Sequence, residues 1–482
     1  MLLLGVLLAI RLAGLMGSPY GLHGDEAQYW AWSRNPDWGY FSKPPMIAWV
    51  IWATTSVFGN AEWAVRLASP FLHTATAGMV FLTGRKLFDG RVGFWACATY
   101  ALMPAVWLSS FIISTDATLL LCWAVALHAW ACLRERGSWG RAVQLGLALG
   151  LGLMSKYAMA FFVPVLVLAT LFDKPTRRAL LGPKGFLAAA IAAAWLTPNL
   201  LWNAANDFAT ISHTAENANL QQDLFNPSEV LKFWVDQFGV FGIISFPILL
   251  LALIAAMRGR LPAPAKWLVG FAALPLLAIT VEALLSRANA NWAVTAYGAG
   301  PILGAVWALQ SNRRRAWLKW GLIVQTAVVL TVGVCALVPA WRDSLGLGNS
   351  VKRMVAWPET EQALSDIYLA GFEGQAFAGL ATDNRLVHYD LDYYGIQDTA
   401  KLYMWALNDT PAHHADLTRP LPAGDGPYLI VNYYDRYAEV FREDFDHVEI
   451  LPTLEIPTAG GKKRQLKLWV GYGYTPTTRE DR

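Results

Sequence analysis

The chain has 482 residues, of which 55% are hydrophobic and only 15% charged, with a mean hydropathy of +0.34. Soluble globular chains carry about 25% charged residues, so the deficit excludes an ordinary soluble domain and points to a membrane protein. A net charge of +3 gives no reason to expect a nucleic-acid partner, and the 23 tryptophans suit rings held at membrane–water interfaces.

Met1 to Met16 is apolar except for Arg11. The stretch is short enough for a signal peptide, but its small residues, Gly14 to Ser18, run straight into a dense polar motif. It therefore reads as an uncleaved first helix. Apolar runs then recur as far as residue 340 and stop. A hydrocarbon core of about 30 Å needs roughly 20 apolar residues per helix, which predicts about eleven spans: 1–17, 63–84, 92–110, 117–133, 142–155, 157–172, 185–202, 234–257, 267–285, 293–309 and 320–340.

Every second connection is basic. Arg85, Lys86 and Arg91 fill one, and Arg134, Arg136 and Arg141 the next. Lys174, Arg177, Arg178 and Lys184 follow, then Arg258, Arg260 and Lys266, then Arg313, Arg314, Arg315 and Lys319. The alternate connections hold only Arg34, Lys43, Lys156, Lys232 and Arg287. Lys and Arg are retained on the cytoplasmic side, so the N-terminus reads as inside and everything after residue 340 as outside.

The expected organisation is a transmembrane domain over 1–340, with an interfacial outer loop at 19–62 and a second polar outer loop at 203–233. Residues 341–482 have soluble composition. Alternation at Tyr428–Tyr434 and Gln465–Tyr472 predicts strands, and Glu359–Ala370 predicts a helix, giving a small mixed α/β domain outside the membrane. The four cysteines, Cys97, Cys122, Cys132 and Cys335, lie in apolar stretches without metal spacing.

The candidate chemistry sits in the outer connections. The first reads His23-Gly24-Asp25-Glu26-Ala27-Gln28-Tyr29-Trp30, then Gly39-Tyr40-Phe41-Ser42-Lys43-Pro44-Pro45. Adjacent carboxylates directly after a membrane helix need a pairing or functional reason. Asp25 also stands where an N-cap would open a short helix through Trp32, with Glu26 in its first turn. Tyr29, Trp30, Trp32, Trp38, Tyr40 and Phe41 interleave with the charges, which suits a segment lying along the membrane surface. Lys43 is stiffened by the two prolines after it and suits a phosphate contact; a lysine snorkelling to the interface is the plainer alternative.

Asp116, in Ile113-Ser114-Thr115-Asp116-Ala117, either caps the fourth span or lines a cavity. Lys156, on a short outer turn, is an interfacial anchor or an anion contact. Arg287, in Ser286-Arg287-Ala288-Asn289-Ala290-Asn291-Trp292, is one of the few outer cations. Asn203, in the run Pro198 to Asp207, offers an amide to a sugar or to a helix end. There is no phosphate-binding glycine loop, no Gly-x-Ser-x-Gly and no zinc spacing, and the pair His413-His414 reads as a solvated loop.

These boxes, with Gly152 to Tyr157 and Pro198 to Asp207, together resemble the bacterial dolichyl-phosphate-mannose–protein mannosyltransferase-like family over roughly residues 1–300. That family comprises polyprenyl-phosphate-dependent glycosyltransferases of the GT-C fold and includes the lipid A aminoarabinose transferases. The resemblance implies an inverting hexosyl or pentosyl transfer from a polyprenyl-phosphate sugar to an envelope lipid, glycan or protein, on the periplasmic face of the inner membrane among its lipids. It implies Asp25 as base or acceptor-orienting residue, Glu26 as its support and Asp116 as a second acid. Lys43 would hold the donor phosphate, Arg287 would be a further phosphate contact, and Tyr29, Tyr40, Lys156, Asn203 and Asn291 would complete the substrate-binding set. In the aminoarabinose transferase a glutamate linked to a metal precedes the equivalent lysine. Ser42 stands there in this chain, so no metal or other cofactor is expected.

A transporter or flippase is the main alternative and a membrane scaffold the second. Transporters show paired repeats and charges near the midplane; here the charges gather at one face, and a scaffold leaves Asp25, Glu26 and Lys43 unexplained.

Overall fold

The computed structural model describes residues 2–135, 137–217, 224–406, 410–433 and 438–476. Arg136, residues 218–223 of the second outer loop, and Tyr434 lie outside the described residues. The chain forms two compact units, one of Met1–Gly17 with Asp37–Val334 and one of Ser18–Pro36 with Cys335–Arg482. This grouping differs from a single division at residue 340, because Ser18–Pro36 packs with C-terminal residues. Trp30 meets Tyr393 edge-on with ring centroids 4.9 Å apart, and Leu22 N donates to the Tyr394 hydroxyl at 3.1 Å.

The first unit is helical. Among the described residues four helices are long and apolar enough to cross a membrane: Thr115–Glu135, Pro183–Ala205, Ala265–Leu285 and Asn312–Leu337. Two bent pairs raise this to six: Tyr157–Phe172 with Lys174–Leu180, and Pro227–Phe241 with Ser245–Met257. Several of the expected spans are interrupted. The stretch 92–110 breaks between Gly90–Ala101 and Pro104–Ser109, since Pro104 lacks the N–H that would continue the helix. The stretch 293–309 is a 3-10 segment, Ala290–Gly298, followed by Gly300–Ala308. A further apolar helix, Met46–Phe58, lies inside the expected outer loop. Its 13 residues fall short of a span, which hides it from a search for spans.

Thr115–Glu135 is the most enclosed of these helices, with 78% of its apolar window buried. Trp123 meets Phe162 at 4.9 Å and Trp130 meets Phe271 at 5.2 Å, aromatic pairs that each add about 0.5–1.5 kcal/mol beyond area burial. Trp139–Ser155 lies against Pro183–Ala205 through small residues. A Cβ on Gly146 would come within 2.6 Å of Ala188 O, so only glycine permits this approach, as is usual where helices associate in lipid. Arg11 of the helix Leu2–Met16 is fully buried, donates to Ala101 O at 2.7 Å and lies 5.4 Å from the Trp107 ring. These partners offset the cost of burying its charge.

The second unit is built on a mixed sheet of β1 (Gly379–Thr382), β2 (Leu402–Met404), β3 (Tyr428–Asn432), β4 (Phe445–Pro457) and β5 (Lys463–Tyr474), in the order β2-β1-β3-β5-β4. β1 runs parallel to β2 and β3, while β5 is antiparallel to β3 and β4. Leu380, Leu429, Val431, Leu466 and Val470 on the strands and Val387 and Leu391 on the helix Arg385–Tyr394 are fully buried and share one core. The expected helix at 359–370 is found as Trp357–Ala370, and the two expected strands are β3 and β5.

Candidate active site

In the helical unit, Asp116 is the centre of the best-defined polar cluster. It stands in the first turn of Thr115–Glu135, where the helix dipole favours an anion. Lys156 terminates Trp139–Ser155 in extended conformation, just before the 3-10 turn Tyr157–Phe161. This break turns its side chain to Asp116: Lys156 Nζ donates to Asp116 Oδ1 at 2.8 Å, and Asn291 Nδ2 donates to Oδ2 at 2.6 Å. Three of the expected residues thus meet at one carboxylate. The side chains of Lys156 and Asp116 are only 21% and 12% exposed, so the pair is weakly screened.

A second cluster lies on the same unit. Tyr157 OH donates to Asn199 Oδ1 at 2.8 Å and accepts from Asn203 Nδ2 at 3.4 Å. Asn199 Nδ2 in turn donates to Trp38 O at 2.7 Å, and Trp202 Nε1 to Asp37 Oδ2 at 2.8 Å. Tyr40 OH accepts from Asp37 N at 3.1 Å, and Tyr40 O accepts from Thr210 Oγ1 at 2.7 Å. Asn203 and Tyr40 are both buried, and these bonds hold the turn at residues 37–43 against Pro183–Ala205. Tyr157, Asn199 and Asp37 do this holding; Tyr157 stands beside Lys156 in the outer turn and Asn199 in the run Pro198 to Asp207, while Asp37 was not singled out from sequence.

The turn itself presents Lys43. Tyr40 N donates to Lys43 O at 3.2 Å, and Pro45 leads directly into Met46–Phe58. Lys43 is half-buried there. Arg287 follows Ser286, which ends Ala265–Leu285, and is exposed. Arg287 is not joined to the Asp116 cluster by any ion pair or hydrogen bond among the described residues.

The motif carboxylates belong to the second unit. The expected N-cap at Asp25 is corrected: His23 caps the helix Gly24–Ser33, and Glu26 completes a capping box by accepting from His23 N at 2.9 Å. A capping box satisfies two N–H groups at once, and histidine in the cap position leaves Asp25 outside that role. Glu26 is 2% exposed, whereas the Asp25 side chain is 44% exposed. Asp25 Oδ1 instead accepts from Arg385 Nη1 at 2.9 Å, and the same guanidinium bonds Gln28 Oε1. Arg385 opens the helix Arg385–Tyr394, an unfavourable place for a cation that the Asp25 charge offsets. Tyr29 is buried against Trp32, with ring centroids 5.4 Å apart. Among the described residues no group of three or more His, Cys, Asp or Glu side chains is placed to hold a metal ion.

Residues 42–202, which include Lys43, Asp116 and Lys156, match the family model described as dolichyl-phosphate-mannose-protein mannosyltransferase. Over 411 residues the chain is 37% identical to the lipid A galacturonosyltransferase RgtD of Rhizobium johnstonii, covering 83% of each chain. The chain belongs to this family of membrane glycosyltransferases. The glycosyltransferase is also 32% identical, over 132 residues, to undecaprenyl phosphate-alpha-4-amino-4-deoxy-L-arabinose arabinosyl transferase 2 of Sodalis glossinidius, covering 26% of this chain and 24% of that one. The crystal structure of ArnT from Cupriavidus metallidurans bound to undecaprenyl phosphate superposes with a TM-score of 0.67 at 17% identity, covering 97% of both chains. At that identity the match shows the fold: a polytopic, mostly helical GT-C architecture carrying a small C-terminal sheet. The expected fold class and enzyme class are thereby borne out.

Proposed function

We propose that this glycosyltransferase moves a uronic acid sugar from a polyprenyl phosphate to lipid A or the adjoining core glycan, on the periplasmic face of the inner membrane. The observation that carries the chemistry is the Asp116 carboxylate, fixed by Lys156 at 2.8 Å and Asn291 at 2.6 Å. The choice of acceptor and sugar is supported by the likeness to a lipid A galacturonosyltransferase along 83% of both chains. The likeness to the arabinosyl transferase covers only 26% of this chain and so weighs less on the sugar. The periplasmic orientation is supported by the alternation of basic and charge-poor connections.

In this reading the acceptor hydroxyl attacks the anomeric carbon as the bond from that carbon to the phosphate oxygen breaks. The electron pair leaves with the lipid phosphate, and the proton of the hydroxyl passes to a carboxylate. Such a reaction runs through an oxocarbenium-like state. It needs a base on the attacking side and cations on the leaving side. Asp25, half-exposed on the end of Gly24–Ser33, is assigned the base. Lys43 is assigned the departing phosphate and Arg287 a further anionic contact. Asp116 is assigned the positive charge that builds on the sugar ring, with Lys156 and Asn291 fixing its orientation. Glu26 supports Asp25 through the backbone it caps. No resident metal is assigned, since Ser42 precedes Lys43 and the Asp116 carboxylate is held by a lysine and an amide.

The test is transfer by the purified protein in liposomes, with polyprenyl-phosphate galacturonic acid as donor and lipid A as acceptor. The expected product is lipid A heavier by one galacturonic acid residue. A product formed only from an aminoarabinose donor would overturn the choice of sugar, and no product from either donor would overturn the reading.

A further inference from the structure

A cavity of about 360 Å³ opens in the unit formed by Ser18–Pro36 and Cys335–Arg482. That volume lies in the range of small-molecule pockets, about 300–1,000 Å³. One of the side chains lining it is Asp390, which is 1% exposed and whose buried Oδ1 has no hydrogen-bond partner. An unmet buried acceptor costs about 1–3 kcal/mol, and the carboxyl that carries it belongs to the cavity wall.

The cation closest in kind is already committed. Arg464, also lining the cavity, gives Nη1 to Ala356 O and Thr360 Oγ1, gives Nη2 to Val355 O, and lies 3.6 Å from the centre of the Trp357 ring. Lys463 is paired with Glu455 at 2.6 Å. Lys352 and Arg353 are different. Both line the cavity, both are exposed, and neither forms an ion pair among the described residues. The cavity therefore combines a buried carboxyl, two uncommitted cations, and the polar side chains of Asn384 and Gln465.

We infer that this cavity binds an anionic saccharide, with a ring hydroxyl bonded to the Asp390 carboxyl and a carboxylate or phosphate substituent held by Lys352 and Arg353. The neighbours of Asp390 agree with this. Burial pushes its carboxyl well above the usual carboxylate range, Arg464 opposes that rise, and Glu26 and Asp25 add to it. A neutral carboxyl repels no anion and can both donate to and accept from a hydroxyl. The two rim cations then select for negative charge, and charge-assisted bonds to them are the strong ones. An amino sugar would bring a third cation beside Lys352 and Arg353 and is disfavoured. Gly24 forms part of the wall, and a Cβ there would meet Leu386 Cβ at 2.9 Å and Asp390 Oδ2 at 3.2 Å. The helix carrying Asp25 thus begins at the edge of this cavity.

The shared chemistry is an anionic group on a hydroxylated ring, which a uronic acid or a sugar phosphate can supply. Titration calorimetry on the full chain in detergent separates them, using galacturonic acid, N-acetylglucosamine 1-phosphate and uncharged galactose as probes. At least one anionic probe is expected to bind about tenfold tighter than galactose, and Arg353→Ala and Lys352→Ala are each expected to weaken it severalfold. Asp390→Asn should weaken all three probes together, and thermal melts establish that each variant is folded. Tighter binding of the uronic acid alone, of the phosphate alone, or of both supports the site and names its ligand. Equal binding of galactose and the anions, or undiminished binding in both rim variants, overturns it. Binding is read without turnover, so this result is independent of the transfer reaction.

Discussion

Lys156 Nζ lies 2.8 Å from Asp116 Oδ1, joining the end of one helix to the first turn of another. Removing one partner of a buried pair leaves the other charge uncompensated. Asp116→Asn and Lys156→Met are each expected to lower transfer by about a hundredfold. The double variant should lose less than the product of the two single losses, because the residues act as a unit. Initial rates on the four proteins of this cycle check it; independent, multiplicative losses would separate Lys156 from Asp116.

The adjacent carboxylates of the first motif should part company on mutation. Asp25→Asn removes a proton acceptor and is expected to cut transfer about a hundredfold or more. Glu26→Gln keeps an oxygen for His23 N and should change the rate little, with a loss of at most about 1 kcal/mol in stability. Rates and thermal melts of both variants read this directly. A larger rate loss for Glu26→Gln than for Asp25→Asn would reverse the assignment.

Lys43→Ala is expected to lower transfer about a hundredfold while leaving expression and melting temperature near those of the parent protein. Lys43→Arg keeps the charge but changes its geometry, and should recover part of the rate. An alanine variant with the parent rate would return Lys43 to an interfacial anchor.

Chelation tests the absence of a resident metal. Prolonged treatment with EDTA followed by desalting should leave the transfer rate unchanged. A loss restored by one divalent ion would place a metal in the reaction.

His388 makes the second unit sensitive to acid. The ring is 1% exposed, and burial pushes its pKa down to about 3, from about 6.5 in the unfolded chain. Between these values the unfolded chain binds a proton that the folded one does not, so stability falls as pH drops below about 6.5. Asp416 acts in the opposite sense: burial raises its carboxyl to about 6, so its contribution is lost as pH rises through that value. Asp416 is itself titrating near pH 6, so substitution of His388, and not a choice of pH, separates its share of the fall below about pH 6.5. His388→Gln should flatten the fall of melting temperature there; an unchanged slope would rule His388 out as its source.

Much of this was legible in the sequence, for identifiable reasons. The Lys and Arg bias and the apolar runs depend only on local composition, and the alternating patterns of β3 and β5 need no tertiary information. Asp116, Lys156 and Asn291 could be singled out one by one. Their meeting could not, because Asp116 and Asn291 are 175 positions apart and no local pattern encodes such a contact. The helix cap reads as Asp25 from sequence because histidine is not among the residues favoured there, and only the structure shows His23 in that place. Arg385, the partner of Asp25, lies 360 positions away at an ordinary helix start. Met46–Phe58 was missed because a helix of 13 residues is too short for a span.

The grouping of Ser18–Pro36 with Cys335–Arg482 also orders events during synthesis. The helix Gly24–Ser33, whose Asp25 pairs with Arg385, leaves the ribosome early and its partner much later. At about 5–20 residues per second, roughly 15–60 s of elongation separate residue 36 from residue 335. Throughout that interval Asp25 has no Arg385 to pair with and Trp30 no Tyr393 to cover it. The second unit is therefore completed only after the helical unit has been made, and a chain stopped before residue 385 leaves the motif at Asp25 without the partner that holds it.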